Sequence, residues 1–585
     1  MHTNIINKYF GFLLLFFTIL LNGCNGDRVK DGLYSFEIYA TNDLHGRIFD
    51  SLYTDTTIYP YSLSSVSTYI KGARARLGAN SVILLDIGDQ LQGDNSVFYY
   101  NYIDTNTEHI FSKVANYLKY DAIVVGNHDI ETGHPVYDKI DKELKAPYLA
   151  ANAIEVSSGK PYFKPYTIIV RKGVKIAVIG MTNPNIKKWL SPDLWRGISF
   201  EEVIPGLEEL VADIRKKEKP HLVIAALHVG LGEEDNYQME NPAKYVAKHV
   251  KGIDIVFAAH DHKTIAEYIV NGEDSVLILE GGSRASSLSL AQVKLEIKDG
   301  KVISKMLHPS NISMKGVLPD KEFNNFFHKE YLSVKHFTTT VVGRLENRVT
   351  SRDAYFGPSD YIDMIHTLQM ESSDADISFA APLSFDVTIE AGNLNYQDLL
   401  NLYPFENQLY VIKMSGKEIK DYLEFSYSKW INKMVSKKDH LLQLNINGTE
   451  KKARFKNMNF NFDSAAGMIY EVDVRKGDGE RIKIVSLANG APFKFDTKYK
   501  VALSSYRANG GGDLLEVGAK IPTNELDGRI LNRLSDIREL IYNKLKESGS
   551  IKAKKLNQWK FVPEEFVKGA AERDYELLFK TNKAY

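Results

Sequence analysis

The sequence predicts an α/β fold in a chain of two domains, and three observations carry that expectation. At 585 residues the chain is too long to close around one core, so two sizeable domains are the default. From about residue 30 to residue 300, short β-branched runs alternate with longer amphipathic segments. Polar clusters stand at the C-terminal ends of five of those runs, the place where open α/β sheets bind their ligands. Hydrophobic residues at 44% and charged residues at 25% are ordinary globular values, without disordered or fibrous bias. The 73 basic and 74 acidic residues leave a formal charge of −1, which argues against polymeric nucleic acid as a partner and for a small ligand.

Taken in order, the chain opens on a targeting signal. Lys8 precedes an apolar run from Tyr9 to Leu21, short for a membrane span and suited to a signal peptide. Leu21-Asn22-Gly23-Cys24 follows and resembles a bacterial lipobox, whose cysteine is acylated and becomes the new N-terminus. Cys24 is the single cysteine, so no intrachain disulfide forms. The expectation is a signal peptide over residues 1–24 and an exported protein, periplasmic or at the cell surface, anchored to a membrane by lipid on Cys24. Its catalytic part starts near Val29.

The strand candidates are Tyr34–Thr41, Ser81–Ile87, Asp121–Val125, Lys175–Gly180, His221–Leu227, Asp254–Ala258 and Val276–Leu279, bounded by Gly, Asn or Asp. At their mouths stand Asn42-Asp43-Leu44-His45, Gly88-Asp89, Asn127-His128-Asp129, His228 and His260-Asp261-His262. A turn or a helix cap explains any one of these. It does not explain why His and Asp recur at successive strand ends. Carboxylate, imidazole and amide oxygen without thiolate suit a pair of divalent ions, and Asp89 is the natural bridge between them.

In order and context, Asp43-x-His45, Gly88-Asp89, Gly126-Asn127-His128-Asp129, His228 and His260-x-His262 resemble the motifs of the calcineurin-like metallophosphoesterases. Within that superfamily the sequence looks like the bacterial 5′-nucleotidases and 2′,3′-cyclic-nucleotide 2′-phosphodiesterase/3′-nucleotidases. The resemblance implies a four-layer αββα sandwich over residues 29–318, joined to a second, α+β substrate-binding domain over 341–550. It implies two divalent ions (Mn, Zn, Fe, Mg or Co), the first on Asp43, His45, Asp89 and His262, the second on Asp89, Asn127, His228 and His260. His128 matches the family's catalytic histidine, which meets the phosphoryl group. Three residues on, where the 5′-nucleotidases usually have an Asp that orients the imidazole, this chain has Glu131. The longer arm keeps the charge, and Glu131 is expected to hold His128 and raise its pKa. His134, Asp129 and Asp261 are expected to serve structurally or behind the ligands.

Pro319 to Lys335 reads as one amphipathic helix, with Asp320 near its start, forming a solvated spacer over 319–340 that leads into a strand at Val341-Val342-Gly343-Arg344. Beyond it the informative segments are aromatic. Leu402-Tyr403-Pro404-Phe405-Glu406-Asn407-Gln408-Leu409 precedes a strand and a helix opening at Gly416-Lys417-Glu418. Ser504-Ser505-Tyr506-Arg507-Ala508-Asn509-Gly510-Gly511-Gly512-Asp513 sets an aromatic and an arginine beside a triple glycine, which lets a ligand approach the backbone. Two aromatics suffice to clamp a base. With 33 Tyr and 28 Phe most aromatics are core, so the resemblance carries this assignment. It places Phe405 and Tyr506 at the stacking pair, Asn407 and Asp513 in the same pocket, and Arg507 beside them. The Tyr-Arg-Ala-Asn-Gly-Gly-Gly run, Ser378-Phe379-Ala380-Ala381-Pro382, and Asn461-Phe462-Asp463 with Gly467 look more like the cyclic phosphodiesterase/3′-nucleotidases. Where 5′-nucleotidases have Asn-Gly-Gly-x-x-Arg, this chain reads Ala381-Pro382-Leu383-Ser384-Phe385-Asp386, leaving Arg507 or Arg352 as the replacement for the missing arginine. The likeness covers about residues 34–545, and the basic tail over 551–585 is expected to pack on the surface.

The expected activity is therefore phosphoester hydrolysis of nucleotides by an exported two-metal enzyme, 2′,3′-cyclic and 3′-nucleotides first, with relative domain motion as in the family. The alternatives are a 5′-nucleotidase or nucleotide-sugar hydrolase on the same metals, and an inactive nucleotide-binding lipoprotein.

Overall fold

The computed structural model describes residues 29–580 apart from 55–56, 273 and 448–451, so Cys24 and the signal segment lie outside the described residues. Two six-stranded sheets form the N-terminal half. The first runs Lys301–Ser313, Ser287–Lys298, Gly32–Thr41, Val82–Asp86, Ala122–Val124, Tyr148–Leu149. The second runs Thr264–Asn271, Asp274–Gly281, Ile255–Phe257, Leu222–Leu227, Val174–Met181, Tyr166–Arg171. The central strands of both pair in parallel, and the outer ones antiparallel except for the edge strand Tyr148–Leu149, which is parallel to its neighbour. All seven predicted strands are present, with no end moved by more than two residues.

The layer order follows from which apolar residues share a core. Ile38, Ile83 and Leu85 of the first sheet bury against Val178, Ile224 and Leu279 of the second. The outer face of the first sheet (Tyr39, Leu84, Ile123) is covered by helices Leu63–Leu77, Ile110–Leu118 and His134–Glu143. That of the second (Val223, Val256, Ile278) is covered by Val203–Lys217 and Ala243–His249. Strands apolar on both faces fit this arrangement, since both sides are buried. The result is the four-layer αββα sandwich.

The segment expected to be one solvated helix is two, Lys321–Phe326 and His328–Thr339, divided at Phe327 (φ −96°, ψ 14°). Asp320 caps the first by accepting the backbone N–H groups of Glu322 and Phe323. The spacer reading is corrected by burial: Phe323, Phe327 and Val334 are 0% exposed inside the core of the first domain, with Tyr117 packed on both phenyl rings. The break at Phe327 turns both phenyl rings into that core. Phe327→Ala is expected to cost about 3–5 kcal/mol as a buried cavity, read by urea unfolding. A spacer would lose almost nothing.

The second domain is built on a mostly antiparallel sheet of Ser464–Ala466, Ile377–Ala380, Lys498–Ser504, Gln408–Ser415 and Ile530–Asp536, with helices Asp360–Ser373 and Gly416–Trp430 against it. The helix at Gly416 starts with a capping box between Ser415 and Glu418. The tail is not a surface appendage. Trp559–Val562 adds a parallel strand beside Met468–Asp473, and Trp559, Phe561, Leu578 and Phe579 are buried in the domain core. Its basic composition hid that stripe of aromatic and aliphatic residues. Among the described residues no helix is long and apolar enough to cross a membrane.

The two domains touch through Gln92 Nε2 to the Pro404 carbonyl (3.1 Å), Asn95 Nδ2 to Gln397 Oε1 (2.9 Å) and the Tyr410 hydroxyl to Ser191 Oγ (2.6 Å). Between them lies a cleft of about 1570 Å³, lined from both sides.

Candidate active site

Five strand ends deliver polar side chains to the floor of that cleft or, for Asp43 and His228, to fully buried positions off its lining. Gly32–Thr41 leads to Asp43 and His45, Val82–Asp86 to Asp89, Ala122–Val124 to Asn127, Leu222–Leu227 to His228, and Ile255–Phe257 to His260 and His262. Asp43, His45, Asp89, His260 and His262 all adopt left-handed backbone (φ 46°, 46°, 60°, 82° and 56°), uncommon for residues with a Cβ. Such strain persists only where surroundings impose it. Here Asp43 N–H donates to the Gly88 carbonyl and His45 N–H to the Asp89 carbonyl, both at 3.0 Å. Asp129 accepts the N–H groups of Asp89, Gln90, Leu91 and Gly126 at 2.8–3.1 Å, a purely structural task. A Cβ on Gly126 would lie 2.1 Å from Asp89 Oδ1, so only glycine admits that carboxylate.

The resulting donor atoms form two groups, Asp43–His45–His262 and Asp89–His228–His260, each with its ligand atoms within 4.8 Å of one another. Their spacings fit a bound cation. His45 Nε2 and His262 Nε2 face each other at 3.1 Å, His228 Nε2 stands 3.2 Å from Asp89 Oδ2 and 3.1 Å from Asn127 Oδ1, and His260 Nδ1 stands 3.0 Å from Asn127 Oδ1. Bonds of about 2.0–2.2 Å to a common ion put neighbouring ligands roughly 3 Å apart. The opposite ring nitrogens are spoken for: His45 Nδ1 by the Gln92 carbonyl, His228 Nδ1 by the Ile87 carbonyl, His260 Nε2 by Glu240. Each such partner orients a ring and leaves its other nitrogen as a lone pair toward the cleft.

His128 belongs to neither group. Its Nδ1 meets Glu131 Oε2 at 2.5 Å, and its backbone N–H donates to Asp89 Oδ1 at 2.8 Å. Burial opposes charging the ring, but the carboxylates of Asp89 and Glu131 override it and push His128 up to about 10. Glu131 is 7% exposed. His134 turns away, to Asp138 and the Arg196 carbonyl, and Asp261 pairs with Lys263.

On the opposite wall, Phe405, Asn407, Tyr506 and Asp513 line the same cleft. Phe460 stands between the two aromatics, 6.4 Å from each ring centre and nearly perpendicular to both (76° and 84°), making a three-sided slot.

Residues 36–264 match the family calcineurin-like phosphoesterase, and residues 339–517 match the 5′-nucleotidase C-terminal domain. The chain joins these two family domains and is a phosphoric ester hydrolase. Among curated relatives it is 24% identical over 588 residues to the trifunctional nucleotide phosphoesterase YfkN of Bacillus subtilis, covering 90% of this chain but 39% of that protein. It is 25% identical to the 2′,3′-cyclic-nucleotide 2′-phosphodiesterase/3′-nucleotidase of Salmonella typhimurium, covering 83% and 82% of the two chains. It is 24% identical to the protein UshA of Escherichia coli, covering 75% and 87%. The fold superposes with a Staphylococcus aureus protein assigned as a 5′-nucleotidase, at TM-score 0.75 and 19% identity over 90% and 99% of the chains. Calcineurin-like phosphoesterases use divalent metals, and the two side-chain groups of the phosphoesterase domain are candidate sites for them.

In the 5′-nucleotidase C-terminal domain two expectations are corrected. Arg507 is 4% exposed and not available to a ligand: Nε and Nη2 grip Asp463, and the remaining N–H groups go to Asn461 Oδ1 and the carbonyls of Gly511 and Phe460. Its task is to hold the Phe460 loop against the glycine loop. Arg352, the other replacement considered, pairs with Asp386 and stacks on Phe579. The glycines also serve the protein more than a ligand, since a Cβ on Gly511 would strike the Tyr506 ring at 2.4 Å. Sequence reasoning missed Phe460, Glu240 and Trp189, which stacks on His260 at 5.2 Å. Only Phe460 had a signal, as the neighbour of Asn461-Phe462-Asp463.

Proposed function

We propose that this chain hydrolyses nucleotide phosphoesters with two divalent ions, acting on 2′,3′-cyclic nucleotides and 3′-nucleotides in nucleotide catabolism. The observation that supports it is the shared cleft: two cation-ready groups on one wall and a three-sided aromatic slot on the other. The base enters the slot, where stacking on Phe405 and Tyr506 contributes about 1–3 kcal/mol. Asn407 and Asp513 offer hydrogen bonds beside it. Asp43, His45 and His262 would hold one cation and Asn127, His228 and His260 the other, with Asp89 as a shared ligand. Bound there, such ions supply Lewis-acid polarisation of phosphoryl oxygen and a lowered pKa of water. Water adds to phosphorus in line with the departing ribose oxygen. His128, its Nδ1 engaged by Glu131, presents a protonated Nε2 to the phosphoryl group as negative charge builds there. Opening of the cyclic ester leaves a 3′-nucleotide, which the same groups dephosphorylate.

The preference for 2′,3′-cyclic and 3′ substrates draws on the resemblance to that subfamily and on the arginines. Arg507 and Arg352 are both tied to carboxylates, so neither is free to take a 5′-phosphate. The reading includes export, with Cys24 acylated. The test is a rate comparison on 2′,3′-cyclic AMP, 3′-AMP, 5′-AMP and UDP-glucose with Mn or Zn added. The first two are expected to be turned over at least about tenfold more efficiently, a difference of about 1.4 kcal/mol. If 5′-AMP were the best substrate, this specificity would be wrong.

A further inference from the structure

Three arginines line the cleft, and they are not alike. Arg507 is locked to Asp463 and Arg538 to Glu406. Arg284 forms no side-chain ion pair or hydrogen bond among the described residues. It is partly buried, beside His45, His262 and Gly93 on the cleft floor. Its Nη2 lies 3.6 Å from where a Cβ on Gly93 would stand, ordinary contact distance, so the guanidinium lies alongside the Gly93 backbone.

The surroundings of Arg284 carry surplus positive charge. Burial lowers its pKa, and Arg47 close by adds repulsion. Arg47 is 8% exposed, packed on Tyr59 at 3.2 Å, with Nε buried and unpartnered. Asp94, an acid that favours its charge, spends Oδ1 on the Tyr53 hydroxyl and the Ser96 N–H. Two guanidinium groups thus repel each other in a partly buried place, an arrangement that costs energy until an anion arrives. The backbone adds a second sign of purpose. Arg284 and Ala285 both hold left-handed φ (54° and 59°), and the Arg284 N–H is tied to the Asp43 carbonyl at 2.8 Å. This strain fixes the side chain to the loop that carries Asp43 and His45.

We propose that Arg284 is an oxyanion-binding residue of this site, its guanidinium receiving a phosphoryl oxygen of the bound phosphate group in substrate and in released inorganic phosphate. The proposal rests on the phosphoesterase reading for the identity of the anion, but not on the choice of nucleotide. Guanidinium matches phosphate with directed N–H donors, which a lysine ammonium reproduces only as a point charge.

The test is calorimetric titration of inorganic phosphate into Mn-loaded full-length protein, with metal content measured on every sample. Arg284→Gln is expected to weaken phosphate binding about 10- to 100-fold, the range for a hydrogen bond to a charged group. Arg284→Lys is expected to recover part of the loss, with metal content equal to wild type in both. Wild-type phosphate affinity in Arg284→Gln at full metal content would overturn the proposal, as would loss of metal in both variants, which marks a structural role. If no nucleotide is turned over and phosphate binding still depends on Arg284, the nucleotide reading fails and this one stands.

Discussion

Replacing Asp89 with Asn is expected to lower metal-dependent turnover by about 10³-fold or more, on the order of 4 kcal/mol of barrier. The reason is position. Asp89 Oδ2 faces His228 at 3.2 Å, Oδ1 takes the His128 N–H at 2.8 Å, and its side chain is buried within the second ligand group. Asn keeps the shape and the hydrogen bond but removes the charge that stands between two cations. Metal analysis should show fewer than two ions per chain, while far-UV circular dichroism stays as in wild type. Chelation of the wild-type protein should give the same loss, reversed by Mn. An Asp89→Asn protein with full metal and full rate would remove Asp89 from the bridging role.

The second large effect is at His128. Its ring lies outside both ligand groups, so His128→Asn is expected to keep both metals and lose about 10²–10⁴-fold in kcat, the range for a positioned proton donor. The pH dependence follows from the direction of its shift. The useful form is protonated, and its pKa is raised from 6.5 to about 10 by Asp89 and Glu131 against the cost of burial. Activity is therefore retained through neutrality and falls as pH rises through the folded pKa. Cations beside Asp89 offset that carboxylate, so the alkaline limb of the loaded enzyme should lie between 6.5 and about 10. Removing the Glu131 charge takes away the remaining support, and Glu131→Gln should move that limb to lower pH with little change in KM. A Glu131→Gln profile that superposes on wild type would show that Glu131 does not hold the proton on His128.

Much of this site was legible because its parts sit at strand ends. A β-branched run closed by Gly-Asp or Gly-Asn-His-Asp states both an element and a ligand set, and a parallel sheet then gathers the set without further instruction. The linker and tail were misread for one reason: charge between apolar positions looks like a solvated face when the partner surface comes from distant sequence. Phe323 and Phe327 meet Tyr117, more than 200 residues away, and Trp559 and Phe561 meet Tyr427 and Trp430. Arg507 was misread in the same way. Its place beside an aromatic suggested a ligand contact, and only the fold brings Asp463 under it.

By itself, the sequence determined the α/β class, seven strands of the first domain, the six His and Asp residues of the two ligand groups with Asn127 beside them, and the His128–Glu131 pair three residues apart. These are local statements, written in period, spacing and residue type. The tertiary structure alone decided which arginine is spent and which is free, that Phe460 completes the aromatic slot, and that the linker and tail belong to cores. Each of those depends on what a side chain meets across the fold. Burial and charge compensation are properties of the packed chain, and no spacing along the sequence encodes them.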